Sequence, residues 1–223
     1  MGETIGAILP LAVGIAVSPI PIVAAILMLL SPRARVTGPA FLGGWVLGIT
    51  VAVVVFALLA SVLPAGGTGG AGPVAGAVKI ALGLLLLVLA VRQWRARPAA
   101  GAPPVLPKWM SAVDGMTPPT AFGLGVLLSA VNPKNLLMAA GAGLDIGSSG
   151  LGVGGAAVAT LVFVVLAAAT VAVPVVGYLA ASARMSGPLE SLRGWLVGNN
   201  ATVMSVLLLV IGVTMVGKGV GDF

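Results

Sequence analysis

The chain has 223 residues, 59% of them hydrophobic and only 7% charged, with no histidine and no cysteine. Soluble domains carry about 25% charged residues, so this apolar excess must face lipid, at roughly 20 apolar residues for each helical crossing. The missing residue types exclude disulfides, thiolate metal sites, an imidazole base and a Ser–His triad.

Six apolar runs follow along the chain: Ile5–Leu30, Pro39–Leu63, Val74–Val91, Thr120–Gly143, Gly152–Ala181 and Asn200–Val216. The first is too long for the core of a signal peptide and has no basic residue before it, so it reads as a retained helix. The opening Met1-Gly2-Glu3-Thr4-Ile5-Gly6 also misses the myristoylation pattern. Near the middle of the first run stands Ser18-Pro19-Ile20-Pro21. Each proline removes a backbone donor and clashes with the preceding turn, so the helix is expected to kink or break there.

In the second run, Gly44 and Gly48 have the small-xxx-small spacing that permits close helix contact, and packing is the expected role. Lys79, near one end of the third run, is a site candidate, with snorkelling to the surface as the structural alternative. Residues 93–119 are rich in Pro, Ala and Gly and read as a flexible linker between a first half, residues 1–92, and a second, residues 120–223.

The fourth run contains Asn132-Pro133-Lys134-Asn135, four consecutive residues unsuited to lipid. A lysine at the centre of a membrane helix costs roughly 3 kcal/mol on insertion scales, so a place in a transport pathway is the favoured reading. The structural alternative is that Lys134 only pairs with carbonyls bared by the break. After the fifth run, Gly187–Leu196 has the spacing of a short helix lying on the membrane surface, with Trp195 at headgroup level. Asn199 and Asn200 open the sixth run; they are further site candidates, with a cap or an interhelical hydrogen bond as the default.

Loop charge sets the expected orientation. Arg33 and Arg35, then Arg92, Arg95, Arg97 and Lys108, then Arg184 and Arg193 fall in alternate connections, while those near Pro64–Gly72 and Leu144–Gly150 carry no Lys or Arg. The basic connections are therefore expected in the cytoplasm and both termini outside. The net charge of +6 is a topology signal and gives no stripe for nucleic acid. The acids Glu3, Asp114, Asp145, Glu190 and Asp222 all lie outside the apolar runs, so no intramembrane carboxylate is expected. With no acid pair and no base near Ser18, an enzyme is not expected.

Ala16-Val17-Ser18-Pro19 aligns with Ala130-Val131-Asn132-Pro133, each pair of small polar residue and proline falling mid-run. Since each half crosses three times, the expected fold is all-α: six transmembrane helices as two inverted three-helix repeats, with the first and fourth kinked or broken at proline. Half-helices starting at the breaks would converge their positive dipole ends near the midplane, beside Lys134. Ser18, Pro19, Pro21, Asn132, Pro133, Lys134 and Asn135 are thus the expected site, suited to a carboxylate, phosphate or sulfate. No cofactor or metal is implied.

Ser18-Pro19-Ile20-Pro21-Ile22, Leu30-Ser31-Pro32-Arg33-Ala34-Arg35, Phe41-Leu42-Gly43-Gly44-Trp45, Asn132-Pro133-Lys134-Asn135-Leu136 and Asn199-Asn200-Ala201-Thr202 together resemble the glycopeptidolipid-addressing, or sulfolipid-1-addressing, family of the lysine-exporter superfamily. The resemblance covers nearly the whole chain. It implies a six-helix transporter-like protein of a bacterial cytoplasmic membrane that helps deliver glycolipids to the cell surface, beside larger lipid-export machinery; the Gly-rich helix faces separately allow a homodimer. The superfamily's redox branch uses paired cysteines, which this chain lacks. Three readings follow: translocation of a polar or anionic lipid, export of a small anionic solute such as an amino acid, and a non-transporting partner in a lipid-export complex.

Overall fold

A computed structural model describes residues 1–62, 73–97, 113 and 115–222. They are all-helical, in the order α1 (Gly2–Ala16), α2 (Pro19–Leu30), α3 (Ala34–Ser61), α4 (Pro73–Arg95), α5 (Pro118–Ala130), α6 (Pro133–Gly147) and α7 (Val153–Gly221). Four helical segments are long and apolar enough to cross a membrane: α3, α4 and the two arms of α7, Val153–Ser182 and Arg184–Gly221. Counting α1–α2 and α5–α6 as one bent span each gives up to six. The connection near Pro64–Gly72 and most of the expected linker lie outside the described residues.

The prolines act where the sequence places them. Pro19, Pro118 and Pro133 each open a helix, where the missing N–H is spare and the fixed φ suits the first turn. The chain turns by 52° between α1 and α2 and by 63° between α5 and α6, so both proline-bearing runs are broken rather than merely kinked.

Packing is close where glycine allows it. A Cβ at Gly44 would land on the Phe122 carbonyl, one at Gly48 on Ser129 Oγ, and one at Gly125 on the Phe41 carbonyl, so α3 and α5 meet backbone to backbone. The expectation of a packing role for Gly44 and Gly48 holds. Phe41 and Trp45 stack beside this seam, ring centroids 6.4 Å apart, and both are buried. Large side chains such as Leu58, Leu84, Val165 and Val173 point outward and stay exposed, as a lipid-facing surface requires.

Two expectations are corrected. The stretch after the fifth run is not a loop with a separate surface helix: α7 is two helical arms that meet at a kink, non-helical at Ala181, and Gly187–Leu196 belongs to the second arm, Arg184–Gly221, which runs on into the sixth run. Leu189 and Leu196 are buried with Ile22, Val23, Ile26 and Leu29 of α2, and that burial holds Gly187–Leu196 against the body. Trp195 on the same stretch is exposed. Second, α6 extends through Gly147, so Asp145 stands on a helix and is buried, not in an external loop.

Candidate functional site

Each break bares the last carbonyls of one half-helix and the first amides of the next. At the end of α1, Val13 O accepts from the Val17 amide and Ala16 O from both the Ser18 amide and the Thr170 hydroxyl. Gly14 O accepts from Lys134 Nζ at 2.6 Å. Lys134 thus reaches out of its own helix N-terminus, where a cation is disfavoured, to the C-terminal end of α1, where one is stabilised. Its ammonium also donates to Ser18 Oγ, which in turn donates to Asn135 Oδ1 at 3.4 Å. Asn135 Nδ2 donates to Leu128 O at 3.1 Å, so the same side chain seals the end of α5. Ser18, Lys134 and Asn135 are all buried. The two breaks are therefore tied into one polar junction.

The amides are less free than the sequence suggests. Pro19, Pro21 and Pro133 have no N–H to offer, and the Lys134 amide is taken by Asn132 Oδ1 at 3.1 Å. Any positive potential here comes from side chains more than from open helix N-termini.

A cavity of about 460 Å³ adjoins the junction. Its floor is Ser18, Pro19, Pro21, Asn132, Pro133 and Lys134, and its walls include Leu89, Ala96, Met204 and Leu208. Arg92 and Gln93, from the last turn of α4, and Asn200 of α7 add polar groups. Asn200 Oδ1 is buried there without a hydrogen-bond partner. The arrangement offers cationic donors, one unmatched amide oxygen and apolar walls, which suits the polar end of a small amphiphile or solute.

Of the expected site, Ser18, Pro19, Pro21, Asn132, Pro133 and Lys134 line this cavity, and Asn135 stands behind it, bonded to Ser18. Asn200 joins them from mid-helix, so it does not cap a helix start. Asn199 is exposed and donates to Trp195 O of its own helix at 2.9 Å, which is neither a cap nor an interhelical bond. Lys79 is elsewhere. It does not snorkel: it is buried in ion pairs with Asp145 at 2.9 Å and Asp222 at 3.0 Å, beside a second, more polar cavity of about 460 Å³. Thirteen helical steps lead from Lys79 to Arg92, about 20 Å along α4, so the two cavities lie toward opposite faces.

Sequence reasoning missed Arg92 and Gln93 as cavity residues. A basic residue at a helix end is equally a topology signal, and only the antiparallel packing of α4 on α7, glycine to glycine at Gly83 and Gly212, brings Arg92 near Asn200.

The family model described as Sap, sulfolipid-1-addressing protein, matches residues 8–221. No curated protein and no solved structure matches the chain.

Proposed function

This chain belongs to the sulfolipid-1-addressing family, and from that membership we propose that it translocates a polar or anionic lipid toward the cell surface, passing the headgroup through the Lys134 cavity. The observation that carries this is the meeting of both helix breaks at one cavity bearing a buried ammonium. In hydrocarbon such breaks are tolerated where they line a cavity or are buried in protein, and midplane sites at paired broken helices are the habit of inverted-repeat transporters. The two bent pairs, α1–α2 and α5–α6, are taken as the opening helices of two inverted three-helix repeats. In this reading the basic connections lie in the cytoplasm, the Lys134 cavity is the cytoplasmic entrance, and the protein performs no catalysis.

The cavity's size limits what enters. Small-molecule sites run from about 300 to 1,000 Å³, so about 460 Å³ admits a headgroup but no set of acyl chains. The chains of a lipid would stay in the bilayer beside the protein. The same volume suits a small soluble anion, and export of such a solute is the second reading.

The test compares surface-extracted with total lipids in cells lacking this gene, complemented with the wild-type chain or with Lys134→Gln. The expected result is that one polar lipid is made normally, fails to reach the surface without the gene, and is not restored by Lys134→Gln. An unchanged lipid pattern throughout would reject lipid translocation and leave solute export to be measured in proteoliposomes. Full restoration by Lys134→Gln would reject the cavity as the path and favour a non-transporting partner of a lipid-export complex.

A further inference from the structure

The α4 residues lining the Lys134 cavity, Leu89, Arg92 and Gln93, all come from the end of that helix far from Lys79. Beyond the junction lies a close-packed layer of Leu11, Ile15, Met138, Ile211 and Met215, all buried. A Cβ at Gly14 would strike Met138 and Ile211, and one at Gly141 would come within 2.7 Å of Met215. On the far side of that layer sit Lys79 of α4, Asp145 of α6, and Lys218 and Asp222 of α7. Lys79 bridges both carboxylates, Lys218 Nζ lies 3.6 Å from Asp145 Oδ2, and Lys218 also donates to Ala7 O of α1 at 2.7 Å. Four helices are thus clasped together at one level by charges that nothing in the Lys134 junction uses.

A buried ion pair is a poor way to gain stability, because desolvation offsets its attraction, yet removing one partner is strongly destabilising to the closed arrangement. Such pairs suit a contact that must be firm in one state and dissolve in another. Once parted, all four groups would face a polar vestibule lined also by Glu3, Ser148 and Ser149, where water can take over their hydrogen bonds. The apolar layer alone has no such second arrangement.

We propose that the Lys79–Asp145–Asp222–Lys218 clasp is the gate of the far face, holding the layer around Leu11 shut while the Lys134 cavity is open to the other side. The proposal rests on the translocation reading for its purpose, but its test needs no substrate. The chain has no cysteine, so an introduced thiol is the only one present. Leu11→Cys places that thiol in the closed layer, Glu3→Cys marks the far face, and Ile26→Cys marks a separate buried cluster, with Leu189 and Leu196. A membrane-impermeant thiol reagent is applied in a preparation where Glu3→Cys reacts.

With the clasp intact, Leu11→Cys should label slowly. Added Asp145→Asn or Lys79→Met should speed its labelling about tenfold or more, since breaking a buried pair costs enough for that shift. Ile26→Cys should stay unlabelled in the same backgrounds. Unchanged labelling of Leu11→Cys in both clasp variants would overturn the gate. Equal acceleration at Ile26→Cys would also overturn it, showing that the cluster only holds the fold together. Failure of lipid or solute transport would leave these labelling rates untouched, so the two claims fail separately.

Discussion

Lys134 makes the carbonyl contact that the structural alternative expected, satisfying the Gly14 carbonyl that the α1–α2 break exposes, and it also lines a cavity. The two roles separate by substitution. Lys134→Met relieves the desolvation cost of a buried ammonium, but it leaves Gly14 O without its donor, a cost of about 1–3 kcal/mol. The variant should therefore fold, with stability in detergent lowered by no more than about 2 kcal/mol in thermal unfolding, while surface delivery of the lipid is lost. Asn200 should behave in the opposite sense. Its Oδ1 is buried without a partner, so Asn200→Leu should raise stability by about 1 kcal/mol and still weaken function, as expected where a polar group awaits a ligand. If Asn200→Leu leaves delivery intact, that oxygen has no part in recognition. Ser18, Asn132 and Lys134 were legible in the sequence because polar residues beside proline stand out in an apolar run. The partners of Lys79 were not, since Asp145 and Asp222 reach it only through tertiary packing.

At the scale of elements, the α3–α5 seam gives the sharpest expectation. Gly44 and Gly125 face backbone carbonyls of the opposite helix, which cannot swing aside as a side-chain tip can. Gly44→Ala or Gly125→Ala should cost about 1–3 kcal/mol through forced separation of the helices. Gly123, two residues from Gly125 and so on the other side of α5, has nothing within 4 Å of a Cβ, so Gly123→Ala should be neutral or stabilising by up to about 1 kcal/mol from helix propensity. Unfolding of the three variants in one detergent checks the contrast; equal losses would mean that helix spacing does not decide stability here. The spacing of Gly44 and Gly48 pointed to this seam, although a glycine-rich chain offers many such pairs. The continuity of Gly187–Leu196 with the sixth run was illegible for the opposite reason. Gly187, Pro188 and the charged residues after them carry the local signature of a loop, and a surface reading of Leu189 and Leu196 fits the same spacing. Only burial against α2 holds the stretch to the body of the protein, and that contact joins residues far apart in the chain.

For the whole molecule, lipid and solute translocation make different demands on one cavity of about 460 Å³. A lipid must present its headgroup there while its chains remain in the membrane, so the rate should follow the headgroup and hardly respond to chain length. A soluble anion must enter whole, and its rate should fall as its bulk exceeds the cavity. Proteoliposomes carrying the reconstituted protein and a labelled anionic lipid, made with short or long chains and with a charged or neutralised headgroup, separate these cases. On the lipid reading, short- and long-chain versions cross alike. Neutralising the headgroup slows crossing about tenfold or more, the loss expected for one charge-assisted hydrogen bond. The water-soluble headgroup without chains is carried poorly, because it lacks the membrane anchoring that keeps it at high local concentration beside the cavity. Brisk flux of that soluble headgroup, with no movement of either lipid, would instead assign the cavity to a small solute. The Lys134→Met variant belongs in the same vesicles: under both readings it should abolish movement of the charged species. Movement unaffected by that change would place the path elsewhere in the protein.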